Sequence, residues 1–178
     1  MARTVAITGA FSHTGKYATR LLLDRGCSVR TLTNHPPSTH PKRANPFGEQ
    51  VRVYPYDFER PGELRRSLEG ASVLINTYWV RFPRGKTNFE TAVRNSRALI
   101  DAAKDVGVQR IVHVSIANPS IESPLAYSRG KAEVEEAVIG SGLAYSILRP
   151  TQLSSARKTF SSTILLGSCG VFQRGIQG

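Results

Sequence analysis

Two kinds of hydrophobic pattern alternate along this chain of 178 residues. Short apolar and β-branched runs such as Thr4–Thr8 are typical of strands buried on both faces of a parallel sheet. Longer segments carry apolar residues at helical spacing and end near a glycine. The pattern predicts strands at 4–8, 27–33, 51–56, 71–76, 110–115 and 144–148, and helices at 14–25, 61–68, 88–106 and 127–139.

This alternation of strands and helices predicts an α/β fold with three layers, α/β/α. Right-handed crossovers make it a doubly wound Rossmann sheet of parallel strands, in the order 3-2-1-4-5-6. The polar residues at 34–48 predict a long loop. The pattern fails after Pro150, so we expect one domain over 1–151 and a truncated, poorly packed tail or short helix over 152–178, where only 163–166 is compactly apolar.

Composition narrows the class of protein. No apolar run approaches the roughly 18 residues that span a bilayer, and the chain opens without a signal-peptide pattern. Cys27 and Cys169 lie far apart in sequence and match no metal-ligand spacing. We therefore expect free thiols, no metal site and a cytoplasmic location.

The formal net charge of +11 would suit nucleic acid, a membrane surface or a phosphorylated cofactor as a partner. The basic residues are spread in short groups, without a dense tract or interleaved aromatic residues. This distribution favours a solvated basic surface over a nucleic-acid site.

The loop after the first strand carries the first candidate chemistry. Residues 8–15 read TGAFSHTG, with glycines at 9 and 15 between a strand and a helix. A glycine-rich turn lets the backbone approach a pyrophosphate, whose charge the helix N-terminus stabilises. A plain strand-turn-helix connection is the alternative interpretation.

A second group lies around the fifth strand. Tyr127 and Lys131 are one helical turn apart, and Ser115 ends the strand before them. An ammonium beside a phenol favours the phenolate, and a serine hydroxyl can hold a substrate carbonyl, so the trio suits proton transfer. In the alternative interpretation, Tyr127 packs, Lys131 is solvated and Ser115 caps the strand.

The segments at 29–33, 102–115, 130–136 and 148–151, together with both motifs, resemble the atypical short-chain dehydrogenase/reductases. That group includes the NmrA-like proteins, the NAD-dependent epimerase/dehydratase relatives and an accessory subunit of respiratory complex I. Its fingerprint reads Thr-Gly-x-x-Gly-x-x-Gly, and here Ser12 replaces the middle glycine. Ser12 would either bind a phosphate or crowd the cofactor.

The resemblance implies NAD or NADP as cofactor, with Tyr127, Lys131 and Ser115 as the catalytic group. It also implies that Lys131 holds ribose hydroxyls. The implied cofactor contacts are the phosphate loop (Thr8, Gly9, Ser12, His13, Thr14, Gly15), the adenine side (Asp57, Phe58) and the nicotinamide-side ribose (Asn76, Thr77).

The choice between NAD and NADP stays open. The acidic residue that usually follows the second strand of NAD-binding relatives is absent, as is an arginine near Asn34. Arg30, or the basic loop through Arg43, could bind a 2′-phosphate, which favours NADP. Of the histidines, we expect His13 in the exposed phosphate loop and His113 as a core residue with satisfied hydrogen bonds.

Two functions remain open. The first is an oxidoreductase or epimerase in which the nicotinamide carries hydride and Tyr127 acts as acid and base on an unidentified small molecule. The second is a non-catalytic NAD(P)-binding regulatory or assembly subunit with a protein partner. Relatives continue well beyond residue 151 into a substrate-binding region, so we expect an incomplete substrate pocket here, which favours the second function.

Overall fold

A computed structural model describes residues 3–34, 45–85 and 87–150, and the backbone of a strand at 169–174. A seven-stranded sheet runs through this part of the chain, and four α-helices flank it. The strands are β1 Thr4–Thr8, β2 Ser28–Thr33, β3 Val51–Pro55, β4 Val73–Asn76, β5 Arg110–Val114, β6 Ala144–Pro150 and β7 Cys169–Arg174. The helices are α1 His13–Asp24, α2 Pro61–Leu68, α3 Phe89–Asp105 and α4 Ala126–Gly140.

The strand order is β3-β2-β1-β4-β5-β6-β7, and strands β1 to β6 are parallel. The predicted order of the first six strands is therefore confirmed. Strand β7, which the sequence does not predict, pairs antiparallel with β6 from Cys169 to Arg174. The rest of the predicted tail, including the apolar stretch at 163–166, lies outside the described residues.

Two hydrophobic cores lie on the opposite faces of the sheet, as the three-layer prediction requires. The core with α1 contains Ile7 of β1, Val29 of β2 and partly buried Leu22 of the helix. The larger core lies under the other three helices and is built on Leu64, Leu74, Leu99, Ile111, Val134, Val138 and Ile147. All of these residues in the larger core are at most 1 % exposed.

The predicted bounds of the elements differ little from those in the structure. Helix α2 begins at Pro61, whose missing N–H costs nothing in a first helical turn, and its bounds are as predicted. Part of the predicted loop at 34–48 lies in the undescribed range, and a 3-10 helix follows at Gly48–Gln50. No helix in the described ranges is long and apolar enough to cross a membrane.

The position of the candidate site follows from this topology. The chain leaves β1 towards β2 on one side, whereas β4 lies on the other side of β1. In open parallel sheets, ligands bind at such a switch point, outside the carboxyl ends of the strands. Most of the residues singled out from the sequence lie at the ends of β1, β4 and β5, in the loops after them, or in the first two turns of α1 and α4.

Candidate functional site

The turn from β1 into α1 depends on two glycines. Gly9 has φ of 69°, a left-handed conformation that side chains rarely adopt. A Cβ at Gly15 would lie 2.0 Å from the Gly9 carbonyl oxygen and 3.0 Å from Ala10 Cα. Glycine at position 15 is therefore what allows the start of α1 to pack against the turn.

Ser12 is the N-cap of α1. Its hydroxyl oxygen accepts a hydrogen bond from the Gly15 N–H at 3.1 Å, and its own N–H donates to the Gly9 carbonyl at 2.9 Å. The serine that replaces the family's middle glycine thus stabilises the helix end, and its exposed O–H can still donate to a ligand. His13 and Thr14 follow, and their N–H groups have no acceptor in the described part of the chain.

Strands β1 and β4 are joined where they end. The Thr77 N–H donates to the Thr8 hydroxyl at 2.7 Å, and the Thr77 hydroxyl donates to the Thr8 carbonyl. Asn76 is fully buried, and its side-chain oxygen accepts from the Tyr78 N–H at 3.0 Å. A cleft of about 310 Å³ opens beside this junction, lined by Thr8, Gly9, Ser12, Leu32, Thr33, Asn34, Tyr56, Thr77, Tyr78 and Trp79.

The cleft at the end of β1 fits a dinucleotide diphosphate. Unpaired N–H groups at a helix N-terminus are the donors that bind phosphate oxygens, and here they belong to an α-helix of 12 residues. Bare backbone at Gly9 leaves this position without a side chain, and the atoms nearest to a Cβ placed there would be Thr77 Oγ1 at 3.5 Å and Ser12 Cβ and Oγ at 3.7 Å. The structure therefore brings the predicted phosphate-loop residues together around one turn.

A larger cleft, of about 1050 Å³, begins at the end of β2 and runs past the end of β3. Asp57 and Phe58 line it, as expected for the adenine side. The Asp57 carboxylate pairs with Arg60 at 2.6 Å and accepts from the Glu59 N–H at 2.9 Å. The hydrogen bond from Arg60 contributes most to lowering the Asp57 pKa, so this carboxylate is ionised and orders the turn into α2.

Phe58 belongs to an aromatic cluster. Its ring centroid lies 4.4 Å from that of Tyr56 and 5.3 Å from that of Tyr78. Tyr56 is buried, and burial raises the pKa of its hydroxyl well above the ordinary value. The Tyr78 hydroxyl accepts a hydrogen bond from the Asn95 side chain at 3.0 Å, which ties the cluster to α3.

Arg30 is held against the end of α2. Its guanidinium donates to the Ser67 and Glu69 carbonyls at 3.2 and 2.9 Å, at the C-terminal end of α2, and lies 4.7 Å from the centre of the Tyr54 ring. Tyr54 also lines the larger cleft. The expectation that Arg30 binds a cofactor phosphate stays a prediction, and the other candidate, Arg43, lies outside the described residues.

Ser115, Tyr127 and Lys131 gather at the end of β5 and the start of α4. Lys131 is 3 % exposed, and its ammonium donates to the Val114 carbonyl at 3.1 Å. Burial lowers the pKa of Lys131 to about 8, and the nearby Glu135 carboxylate partly opposes this shift. Ser115 is 4 % exposed, and its hydroxyl has no hydrogen-bond partner within residues 3–34, 45–85 and 87–150.

Tyr127 is half-buried on the same helix. Its ring stands edge-on to Trp79, with centroids 5.8 Å apart, and edge-on to Phe89 at 5.5 Å. Trp79 also lies under the Lys131 ammonium, 4.5 Å from the ring centre. Trp79 was not singled out from the sequence. Two features could have marked it: it is the chain's only tryptophan, and Gly130, which faces it, is a glycine inside a predicted helix.

The two singled-out histidines differ in environment. His13 is exposed at the start of α1, as predicted, with its ring against Tyr17. His113 is fully buried, as predicted, but neither ring nitrogen has a hydrogen-bond partner among the residues the structure describes. A backbone hydrogen bond with Asn76 nevertheless opposes the lowering of its pKa, so the expected satisfied histidine is supported only in part. Burial, followed by the nearby Lys131 ammonium, lowers the His113 pKa to about 3.

Metal chemistry has no visible support in this region. Within the described ranges, no group of three or more histidine, cysteine, aspartate or glutamate side chains could hold a metal ion. The polar atoms at the ends of β1, β4 and β5 include hydroxyls, an amide, an ammonium and backbone N–H groups, and the Asp57 carboxylate at the end of β3 is paired with Arg60. This donor set suits an anionic, hydroxyl-rich ligand such as a dinucleotide.

Comparison with known proteins agrees with this geometry. The photosystem II assembly factor Ycf39 of Cyanophora paradoxa is 28% identical over 148 residues, which is 82% of this chain and 44% of that protein. A mouse mitochondrial protein, NADH dehydrogenase [ubiquinone] 1 alpha subcomplex subunit 9, is 25% identical over 150 residues, 84% of this chain and 38% of its own length. The chain thus spans less than half the length of these relatives.

Solved structures share the fold. The Bordetella bronchiseptica enzyme WbmH in complex with NAD+ has a TM-score of 0.70 at 18% identity, over 93% of this chain and 62% of that one. The Citrobacter sp. triphenylmethane reductase complexed with NADP(H) has a TM-score of 0.66 at 20% identity, over 85% and 50%. The resemblance predicted from the motifs is confirmed by these relatives, and a profile described as NAD(P)H-binding matches residues 9–168. The chain therefore belongs to the NAD(P)H-binding family, as a Rossmann domain whose cofactor is a nicotinamide dinucleotide.

Proposed function

We propose that this chain is the NAD(P)-binding domain of an oxidoreductase or epimerase. The dinucleotide diphosphate binds at the start of α1, the adenosine lies in the larger cleft by Asp57, and the nicotinamide end extends past Asn76 and Thr77. One observation carries the proposal: the N–H groups of the phosphate turn, which have no acceptor among the described residues, and the Ser115–Tyr127–Lys131 trio lie at the same edge of one sheet.

NADP is the favoured form of the cofactor. No acidic residue follows β2 between Asn34 and Arg43, so nothing in that segment would repel a 2′-phosphate or take the ribose hydroxyls in its place. The formal net charge of +11 also favours the form with the additional phosphate.

The bound nicotinamide would supply hydride chemistry, and the chain's own residues would handle the proton and the substrate oxygen. Tyr127 would donate or accept a proton at its hydroxyl. The ammonium of Lys131 would favour the tyrosine phenolate and hold ribose hydroxyls. Ser115 has a buried hydroxyl without a partner in the described ranges of the chain, so it is available to donate to a substrate oxygen.

A second candidate function is a non-catalytic NAD(P)-binding subunit that acts through a protein partner. The observation that favours it is the position of Trp79, which contacts both Tyr127 and Lys131 where a substrate would have to approach them. Two relatives, an assembly factor and a subunit of an NADH dehydrogenase, carry names of this kind.

We place the protein in the cytoplasm, where the thiol of Cys27 would stay reduced. Nucleic acid is not the proposed partner, because the basic residues form short scattered groups rather than a tract with aromatic residues for stacking. The net charge of +11 indicates an anionic partner, and the dinucleotide cofactor is such a partner.

Titration with NADH and NADPH, followed by nucleotide fluorescence, tests the proposal. Gly15→Ala should abolish binding, because the new Cβ would collide with the Gly9 carbonyl and displace the turn. Gly62→Ala is the matched control, since nothing lies within 4 Å of a Cβ at that position, and it should bind like the unaltered protein. Thermal unfolding of both variants shows that each is folded. An unaltered protein with no affinity for either nucleotide would overturn the proposal.

Turnover separates the two functions. If Tyr127 transfers a proton, oxidation of NADPH by a panel of carbonyl compounds should fall at least about 100-fold in Tyr127→Phe, while NADPH affinity stays unchanged. Tight NADPH binding without turnover, and with no effect of Tyr127→Phe, would instead support the regulatory subunit.

A further inference from the structure

Trp79 lies where the dinucleotide cleft meets the proton-transfer trio. It lines the smaller cleft beside Gly9 and Thr77. The same ring contacts Tyr127 edge-on and lies 4.5 Å below the Lys131 ammonium. One side chain therefore touches both the proposed cofactor space and the groups proposed to act on the substrate.

A glycine in α4 leaves space for the Trp79 indole. Gly130 lies in the interior of α4, where glycine is less favourable than alanine. A Cβ at position 130 would lie 3.1 Å from Trp79 Cη2 and 3.2 Å from Val93 Cγ2, tighter than ordinary van der Waals contact. The glycine thus leaves the space that the ring fills. Phe89 stacks nearly parallel to the indole, at 9° and 6.1 Å between centroids.

The indole is held by its ring and not by its polar group. Its Nε1 atom is buried and has no acceptor in the part of the chain that the structure describes. A tryptophan N–H that is buried usually finds a partner, so the position of this ring depends on aromatic packing and on the cation above it. Its position should therefore respond to the charge of Lys131 and to a ligand in the cleft.

We propose that Trp79 is a positioning residue that couples occupancy of the dinucleotide cleft to the placement of Lys131 and Tyr127. The inference rests on the proposed function, because it takes the cleft to be the dinucleotide site. When a dinucleotide fills the cleft, the indole shifts, and the Lys131 ammonium and the Tyr127 ring that it contacts shift with it.

Several groups face the Lys131 ammonium. His113 and the Val114 carbonyl approach it from β5, Glu135 from its own helix and Trp79 from the loop after β4. His113 is neutral at ordinary pH, because its pKa is lowered to about 3. Since burial lowers the pKa of Lys131 to about 8, its charge can be titrated while His113 stays neutral.

Emission from the chain's only tryptophan gives a direct test. Between about pH 6.5 and 9.5 the emission should change with a midpoint near 8, as the ammonium over the ring loses its charge. Saturating NADP+ should shift this midpoint by about half a pH unit, because the nicotinamide ring and its ribose would lie beside the ammonium and change its surroundings. Lys131→Met should remove the transition, whereas Phe82→Leu, at an exposed aromatic residue of the same loop, should leave it unchanged.

Variants of the ring supply a second measurement. Calorimetric titration with NADP+ at about pH 7 and about pH 9.5 should show a pH dependence of affinity that Trp79→Leu removes and Trp79→Phe largely retains. Gly130→Ala, which pushes the ring aside, should act like Trp79→Leu and serves if that variant does not fold. If the protein binds NADP+ but its tryptophan emission changes neither with NADP+ nor with Lys131→Met, the inference about Trp79 is overturned and the proposed function is not. Failure of the unaltered protein to bind NADP+ or NADPH overturns the proposed function as well.

Discussion

The guanidinium of Arg30 donates to two carbonyls at the end of α2, and β2 directs its side chain to the same sheet face as Leu32. The last carbonyls of a helix lack partners within the helix, and a cation near them is favourable. Arg30 therefore supports the connection between α2 and β4. The sequence already predicts the face on which the Arg30 side chain lies, because residues 30 and 32 of one strand point to the same face of the sheet.

Arg30→Met should lower the free energy of unfolding by about 1–2 kcal/mol, because it removes two hydrogen bonds from a charged group, one of which is exposed. NADPH affinity should stay unchanged, because the guanidinium already donates to the carbonyls of α2. Urea unfolding and nucleotide titration measure the two quantities. A loss of NADPH affinity with unchanged stability would support Arg30 as a phosphate ligand.

Among the secondary-structure elements, those with local signals were predictable. Proline at its first position and apolar residues at helical spacing defined α2, and turn glycines placed the phosphate loop. Strand β7 lies at one end of the described sheet and pairs antiparallel with β6. In the sequence, the two strands are separated by residues 151–168. Such a pairing depends on contacts distant in sequence, which a local hydrophobic pattern does not contain.

The candidate site also has parts that local sequence signals predict and parts that depend on distant contacts. The contacts of Ser12 and Gly15 follow from a strand-turn-helix connection, and a spacing of four brings Tyr127 and Lys131 to one side of α4. Trp79 lies in an irregular loop after β4, where no periodicity indicates which way a side chain points. Its contacts arise only when α3 and α4 pack beside that loop.

Helix α4 and strand β6 are joined by an ion pair between Glu135 and Arg149. Glu135 is 3 % exposed, and the guanidinium donates to both of its carboxylate oxygens, at 3.0 and 3.2 Å from Nε. The pair lies one helical turn beyond Lys131, so it helps to hold the helix that carries the proton-transfer trio. Removing one partner of such a pair leaves a buried charge without compensation.

Arg149→Met should therefore lower the free energy of unfolding by about 3 kcal/mol. The control is Arg66→Met, whose pair with Glu63 is exposed and should contribute no more than about 0.5 kcal/mol. Denaturant unfolding of both variants gives the comparison. Equal effects of the two substitutions would contradict the structural role of the Glu135–Arg149 pair.

At the scale of the whole molecule, the face of the sheet under α3 and α4 buries two groups that can become cations. His113 and Lys131 both have lowered pKa values, chiefly because burial disfavours their charged forms. The folded chain therefore binds fewer protons than the unfolded chain over the ranges where these groups titrate. Stability must rise with pH across each of those ranges.

His113 sets the acid range. In the unfolded chain its pKa is about 6.5, and in the folded chain it is about 3, so protonation stabilises the unfolded state as the pH falls through this interval. Between about pH 6.5 and 5, a shift of this size removes about 2 kcal/mol of stability. His113→Leu keeps an apolar side chain in the buried position and lacks the titrating group, so its loss of stability over the same interval should be smaller by about that amount. Denaturant unfolding of both proteins at pH values spaced across the interval measures the difference, and parallel curves for the two would mean that His113 is protonated in the folded chain.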